Sequence, residues 1–242
     1  MEQCDLILVA GGAGSRYGTD TPKQFQPLLG RPLFLWSLDV FLSWKSIGQV
    51  VVVVPQDWVE SVISSFKILP NNEIIKVVSG GPSRQASALN GLEALVSGAR
   101  SNWVMIHDAA RPALTPELLE RLWSARQLKI STLNFGGVVP GVNVNETIKT
   151  VGESGVVGAT LPREKLRIIQ TPQLFDLEIL LESYRDEQSL NTPSIAPDDA
   201  SVVEKHGFKI VVVLGDYDNV KITFLEDHDR VSSWLRQRHP SF

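Results

Sequence analysis

Several strings in this 242-residue chain carry groups suited to a charged ligand. Ala10-Gly11-Gly12-Ala13-Gly14-Ser15-Arg16-Tyr17-Gly18 directly follows the apolar run Leu6 to Ala10. Closely spaced glycines let backbone N–H groups approach phosphate oxygens. Arg16 adds an always-charged donor fork, and Lys23, in Thr21-Pro22-Lys23-Gln24-Phe25, a second cation within reach of the same phosphates. The glycine spacing fits neither a dinucleotide fingerprint nor a Walker A loop, because Arg16 intrudes and no Gly-Lys-Ser/Thr closes the loop. A tight turn with an exposed arginine is the plainer reading of the same residues. Gly80-Gly81-Pro82-Ser83-Arg84 opens a helix that bears Ser87, which suits an anion or a nucleobase at a helix N-terminus. It equally suits an ordinary turn with Ser83 as N-cap.

The sharpest string is His107-Asp108-Ala109-Ala110-Arg111-Pro112 at the end of another apolar run. Asp108 there falls at a strand's carboxyl end, where open α/β sheets bind ligands. One carboxylate beside nucleotide phosphates is a donor set for Mg²⁺, so Asp108 is the candidate metal residue. An Asp108–Arg111 ion pair that holds the loop is the structural alternative. Glu146-Thr147-Ile148-Lys149, Arg163, Gln170-Thr171-Pro172-Gln173, Asp198-Asp199-Ala200-Ser201 and Asn219-Val220-Lys221-Ile222-Thr223 follow, each ordinary surface chemistry when taken singly. The four histidines and Cys4 lack metal-ligand spacing, and there is no G-x-S-x-G elbow.

These residues need a frame. Strands are expected at Asp5–Ala10, Gln49–Val54, Ile74–Val78, Trp103–His107, Gly137–Pro140 and Lys209–Leu214. Several are apolar at successive positions, which suits strands covered on both faces. Helices are expected at Leu33–Trp44, Trp58–Lys67, Arg84–Leu95, Pro116–Leu128 and Leu177–Arg185, with another starting at Asp198-Asp199 and a last one ending near Arg238. Thr115-Pro116 reads as a cap with proline at the first helical position, and Thr223 with Glu226 as a capping box. The order predicts an α/β fold, a Rossmann-like, mostly parallel sheet flanked by helices on both faces. Gly141 to Gly158 reads as a projecting hairpin arm with turns near Gly152 to Gly155. An isolated hairpin is marginal in water, so a homodimer with exchanged arms is expected. The expected organisation is one domain over 1–242 with a dimerisation arm at about 141–160.

Composition narrows the function classes. Hydrophobic residues are 43% and charged residues 21%, which is globular usage and excludes intrinsic disorder. A net charge of −4 and scattered tryptophans speak against a nucleic-acid partner. No apolar run reaches the ~18 residues of a membrane helix. One cysteine excludes an intrachain disulfide framework and suits a reducing compartment. Met1-Glu2-Gln3 lacks the basic start of a signal peptide, so a cytoplasmic location is expected.

Taken in order, Gly11-Gly12-Ala13-Gly14-Ser15-Arg16, Pro22-Lys23-Gln24, His107-Asp108-Ala109-Ala110-Arg111-Pro112, Gln170-Thr171-Pro172-Gln173 and Asn219-Val220-Lys221-Ile222-Thr223 resemble the cytidylyltransferases of the nucleotide-diphospho-sugar-transferase fold. The likeness runs from about Leu6 to Trp234. It implies that Ala10, Gly11, Gly12, Gly14, Arg16 and Lys23 bind the CTP triphosphate, with Arg16 and Lys23 stabilising the transition state. It implies that Gly81 and Ser87 lie by the nucleotide and Asp108 by metal, nucleotide and acceptor. Arg111, Thr147 and Thr171 would bind a polyol phosphate, Arg163 and Lys221 would position it for attack, and the arm would come from a neighbouring subunit. Mg²⁺ is the implied cofactor. Pro82 and Pro197 stand where an acid and a threonine are usual, Glu146 replaces an aspartate, and Pro140 to Thr147 is long. Thr147-Ile148-Lys149 and Asp199-Ala200-Ser201 resemble the type that uses methylerythritol phosphate in isoprenoid precursor synthesis. A ribitol 5-phosphate enzyme and a non-catalytic CTP-binding protein are the alternatives.

The implied reaction explains why no triad is needed. A phosphate monoester has a second pKa of ~6 and is largely ionised at neutral pH. The acceptor phosphate can attack the α-phosphorus of CTP in line, with pyrophosphate leaving and no general base required. The protein must supply alignment and charge neutralisation.

Overall fold

The computed structural model describes residues 2–12, 21–68, 71–127, 134–189 and 196–238. The strands are β1 (Cys4–Val9), β2 (Pro27–Leu28), β3 (Arg31–Pro32), β4 (Ile47–Val54), β5 (Ile75–Ser79), β6 (Trp103–Asp108), β7 (Phe135–Asn143), β8 (Ile148–Val151), β9 (Val157–Leu161), β10 (Arg167–Ile169), β11 (Gln173–Asp176) and β12 (Lys209–Leu214). The helices are α1 (Leu33–Ser43), α2 (Val59–Phe66), α3 (Arg84–Val96), α4 (Pro116–Ala125), α5 (Leu177–Ser189), α6 (Asp199–Lys205) and α7 (Leu225–Arg238). The central sheet runs β5-β4-β1-β6-β11-β7-β12, with β11 antiparallel to its neighbours and the other pairings parallel. Strand β10 continues the β11 side of β7, where Ile169 opposes Gly141. This is the α/β sheet with helices on both faces that the apolar runs predict.

Alternation within the runs explains the two layers. Leu6, Leu8, Val50 and Val52 point into a core with α1, α2 and α4. Ile7, Val9, Val51 and Val53 point to the other side, against α3, α5 and α6. A third cluster packs Leu28, Leu33 and Trp36 against Val231 and Leu235 of α7 and against Ile222. That cluster anchors the segment that carries Lys221.

The topology places the site. The chain leaves β1 for β4 and β5 on one side, then returns through α3 to β6 on the other. The switch point therefore lies between the carboxyl ends of β1 and β6, where the Ala109 N–H donates to the Val9 carbonyl at 3.0 Å. Thr115 and Asp198 cap α4 and α6, each side chain accepting from an N–H three residues on. At α7 the acid differs from the capping-box expectation. Asp227, not Glu226, accepts from the Thr223 and Phe224 N–H groups, at 2.7 and 2.8 Å. The arm hairpin is present but begins later than expected. Gly141 to Asn143 extend β7, because β10 pairs with all three and β12 with Gly141, and only β8 and β9 form the separate hairpin, with Gly155 at φ 77 in the turn. Strands β10 and β11 and the β2–β3 pair are not foreseen in the sequence reading, being too short to show a period.

Candidate active site

The glycine turn leaves β1 at Ala10. Gln24, on the following one-turn helix, donates from its amide to the carbonyls of Ala10 and of Gly12, the latter at 2.9 Å. These bonds take up two carbonyls of the turn. The Gly80 N–H donates to the Val54 carbonyl at 2.7 Å, which brings the turn after β5 alongside. A Cβ on Gly11 would lie 2.9 Å from Ser87 Oγ and 3.5 Å from Gly80 Cα, so this approach requires glycine. Ser87 is buried; its hydroxyl accepts from the Gly81 N–H at 3.1 Å and lies 2.9 Å from the Ser83 carbonyl. Ser83 also caps α3, so the turn reading of this string holds, and Ser87 shapes the loop. Gly14 and Arg16 lie outside the described residues.

Beside this turn a cleft of about 470 Å³ opens over the ends of β6, β11 and α6, lined by Arg84, Asp108, Arg111, Thr171, Gln173 and Lys221 among others. Asp108 is its centre. Arg84 Nε donates to Oδ1 at 2.9 Å and Lys221 Nζ to Oδ2 at 2.7 Å. Burial works to raise the Asp108 carboxyl, but the charges of Arg84 and Lys221 outweigh it and hold it well below the usual carboxylate range. Arg84 in turn forks onto the fully buried Asp199, at 3.0 and 2.7 Å, and the Tyr184 hydroxyl donates to the same carboxylate at 2.6 Å. Burial pulls the Arg84 guanidinium down, and Asp199 and Asp108 reverse this and raise it. All three guanidinium nitrogens are thus committed.

The Asp108–Arg111 ion pair, the structural alternative at this string, gives way to pairs with Arg84 and Lys221. Arg111 donates from Nη1 to the Asn219 carbonyl at 2.8 Å, and burial lowers its pKa. Asn219 donates to the Thr171 carbonyl at 2.8 Å. Thr171 Oγ1 accepts from the Asp108 N–H at 3.0 Å and lies 3.1 Å from His107 Nδ1. The two halves of the site also touch, because Lys23 Nζ donates to the Ile222 carbonyl, next to Lys221, at 2.8 Å.

The cleft thus brings Asp108, Arg111, Thr171 and Lys221 together, and Lys23 is tied to the Lys221 segment through the Ile222 carbonyl. It does not include Thr147 or Arg163. Both lie on the exposed arm, where Arg163 donates to the Asn145 carbonyl at 2.8 Å. Arg84, Asp199 and Tyr184 are missed as site residues by the sequence reading. Arg84 at a helix start and an acid pair are visible in the sequence, but nothing there places them in contact. The metal expected on Asp108 does not fit the carboxylate. Both oxygens already sit on cations, and Arg111 adds positive charge close by, which opposes a divalent ion. Among the described residues no group of three His, Cys, Asp or Glu side chains could hold a metal.

Comparison with known proteins agrees with the geometry. Residues 4–237 match the family model described as 2-C-methyl-D-erythritol 4-phosphate cytidylyltransferase. The chain is 36% identical over 225 residues to the Clostridium novyi protein of that name, covering 91% of each. It is 38% identical to a bifunctional enzyme IspD/IspF of Sinorhizobium medicae, covering 93% of this chain but spanning only 54% of that protein. Among solved structures, 4-diphosphocytidyl-2C-methyl-D-erythritol synthase from Anaerococcus prevotii superposes with a TM-score of 0.81 at 26% identity, covering 97% of this chain and 99% of that one. The Francisella tularensis cytidylyltransferase gives 0.77 at 28%, covering 96% and 99%.

Proposed function

The chain belongs to the 2-C-methyl-D-erythritol 4-phosphate cytidylyltransferase family, and from that premise we propose that it transfers CMP from CTP to 2-C-methyl-D-erythritol 4-phosphate. The products are 4-diphosphocytidyl-2-C-methyl-D-erythritol and pyrophosphate, a step of isoprenoid precursor synthesis by the non-mevalonate route. The observation that carries this reading is the gathering of Arg84, Arg111 and Lys221 around Asp108 in a cleft beside the glycine turn.

The roles divide by position. The turn at Ala10, Gly11 and Gly12, with Gly14, Arg16 and Lys23, holds the triphosphate, and Gly81 and Ser87 shape the nucleotide side. Lys221 and Arg111 hold the acceptor phosphate. Lys221 is partly exposed, and its ammonium has three donors, so it can take a phosphate while it stays on Asp108, whereas the Arg84 guanidinium nitrogens are all committed. The acceptor phosphate is already ionised, so the chain needs only to align it with the α-phosphorus and offset charge. Mg²⁺ belongs to the proposed reaction, but no step is assigned to it on Asp108.

Thr147 and Arg163 are proposed to serve the site of a second copy. Strands β8 and β9 form a separate exposed hairpin with Ile148, Val151, Val156 and Val157 open to solvent. Such a ribbon is marginal alone and suits a second copy as cover. Residues 1–242 are taken as one catalytic unit with β8 and β9 (Ile148–Val151 and Val157–Leu161) as its arm. Among the described residues no helix is long and apolar enough to cross a membrane. The lone buried Cys4 suits a reducing compartment, and we place the reaction in the cytoplasm.

Pyrophosphate release tests the reading, with CTP, Mg²⁺ and either methylerythritol 4-phosphate or ribitol 5-phosphate. Release with the first acceptor alone is expected. Release with ribitol phosphate alone reassigns the acceptor, and CTP binding without release leaves a nucleotide-binding protein. Mixing inactive Arg163→Ala and Lys221→Ala proteins tests the arm: shared sites restore roughly a quarter of wild-type activity in a random dimer mixture. No recovery after subunit exchange sinks the shared site.

A further inference from the structure

His107 is buried beside the cleft, and the reaction as proposed does not use it. Its ring packs edge-on against Phe41, with centroids 5.4 Å apart. Nε2 lies 3.1 Å from the Arg111 carbonyl and Nδ1 lies 3.1 Å from Thr171 Oγ1. Burial lowers its pKa to about 4, so the ring carries one proton near neutrality. A carbonyl only accepts, so that proton sits on Nε2 and is donated to Arg111. Nδ1 is then a bare acceptor, and the hydrogen that faces it is that of the Thr171 hydroxyl.

A threonine hydroxyl has one hydrogen and two lone pairs. Here the hydrogen goes to His107 and one lone pair to the Asp108 N–H. What Thr171 can still offer the cleft it lines is a lone pair. An ionised phosphate has only acceptor oxygens and cannot use it; a ligand hydroxyl can.

We propose that His107 is a positioning residue for the acceptor: it takes the Thr171 hydroxyl proton, secures the Arg111 carbonyl, and so makes Thr171 a reader of a polyol hydroxyl and not of the phosphate. This deepens the proposed function and rests on it. The phosphate end then lies toward Lys221 and Arg111, and the carbon chain crosses Thr171 and Asp108. The same bond network explains why Arg111 and Thr171, 60 positions apart, share one support. A histidine at this place supplies a donor and an acceptor from one rigid ring, which a leucine or phenylalanine of similar bulk would not.

The test uses steady-state kinetics with CTP and methylerythritol 4-phosphate or each of its monodeoxy analogues. Thr171→Val should raise the acceptor KM roughly two- to tenfold, as loss of one hydrogen bond does, with the CTP KM unchanged. Thr171→Ser should restore it. Wild type should lose a similar factor with one monodeoxy analogue, and Thr171→Val should lose nothing more with that analogue. His107→Phe should behave like Thr171→Val toward the acceptor. His107→Asn, whose Oδ1 can stand in for Nδ1, should recover the preference for the full polyol. A melting curve on each variant identifies one that fails to fold; a folded His107→Phe that keeps the wild-type analogue pattern rejects His107 as the positioning residue, and the Thr171 pair decides whether the hydroxyl is read at all. If Thr171→Val weakens every analogue by the same factor, or raises the CTP KM equally, Thr171 does not read a hydroxyl and the proposal is rejected. Wild-type transfer without that analogue pattern rejects this inference only, whereas absence of transfer to any polyol phosphate rejects the enzyme reading itself.

Discussion

Replacing Arg84 with methionine separates the stability of the acidic cluster from its function. The guanidinium is about a quarter exposed, whereas the Asp199 side chain is fully buried, so the substitution strands one buried carboxylate with only the Tyr184 hydroxyl as a charge-side partner among the bonds described. Breaking a buried pair costs ~3–5 kcal/mol. Partial exposure of Arg84 puts this case at the lower end, about 3 kcal/mol. At ~2–4 °C per kcal/mol for a chain of this size, melting falls by roughly 6–12 °C. Adding Asp199→Asn removes the orphaned charge and should return at least half of that loss. Activity should not follow. Asp108 still lacks the 2.9 Å bond from Arg84 Nε, and misplacing it should hold kcat/KM for the acceptor on the order of 10²-fold down. Differential scanning fluorimetry and pyrophosphate release read the two effects. A single variant that melts within a degree of wild type refutes the pair as a support. A double variant that regains both stability and turnover refutes Arg84 as the post that holds Asp108.

Other expectations follow from particular contacts. His107 titrates near 4 in the fold because burial disfavours its charged form, against ~6.5 when unfolded. Its stabilising contribution is complete above ~6.5 and is lost as pH falls toward 4, by roughly 3 kcal/mol in all. Urea melts at pH 7 and 4.5 should show a smaller acid loss in His107→Asn, and parallel losses would exclude His107 as the group. Lys23→Ala removes both a cation for the triphosphate and the bond to the Ile222 carbonyl; a rate loss of ~10²–10³ is expected with melting lowered by only about 1–6 °C, the worth of one hydrogen bond, and near-normal turnover would contradict the role. Gly91→Ala places a methyl 2.6 Å from Ile7 Cγ2 and 3.0 Å from Val53 Cγ2, both on stiff branched side chains. It should cost ~1–3 kcal/mol in melting experiments while leaving low-temperature turnover intact.

Much of the frame is legible in the residue order. The runs that become β1, β4 and β6 are apolar at consecutive positions because each strand buries both faces, and the pattern shows this before any coordinate does. Thr115-Pro116 and Ser83 announce their helix starts through side chains that satisfy nearby N–H groups, a local effect. The glycine turn and Asp108 are visible for the same reason: their chemistry depends on residue type and on the end of the element that bears them.

What the tertiary structure alone decided is which charges meet. Arg84 and Asp199 are 115 positions apart and Asp108 and Lys221 are 113 apart, and no local pattern encodes such distances. The sheet order sets them, because the crossover to β6 and the antiparallel insertion of β11 bring α3, α6 and the Lys221 segment to one edge. Asp108 therefore reads in the sequence as a metal carboxylate and in the fold as one clamped between cations. Charge interactions depend on separation in space and on burial, and both are properties of the packed chain.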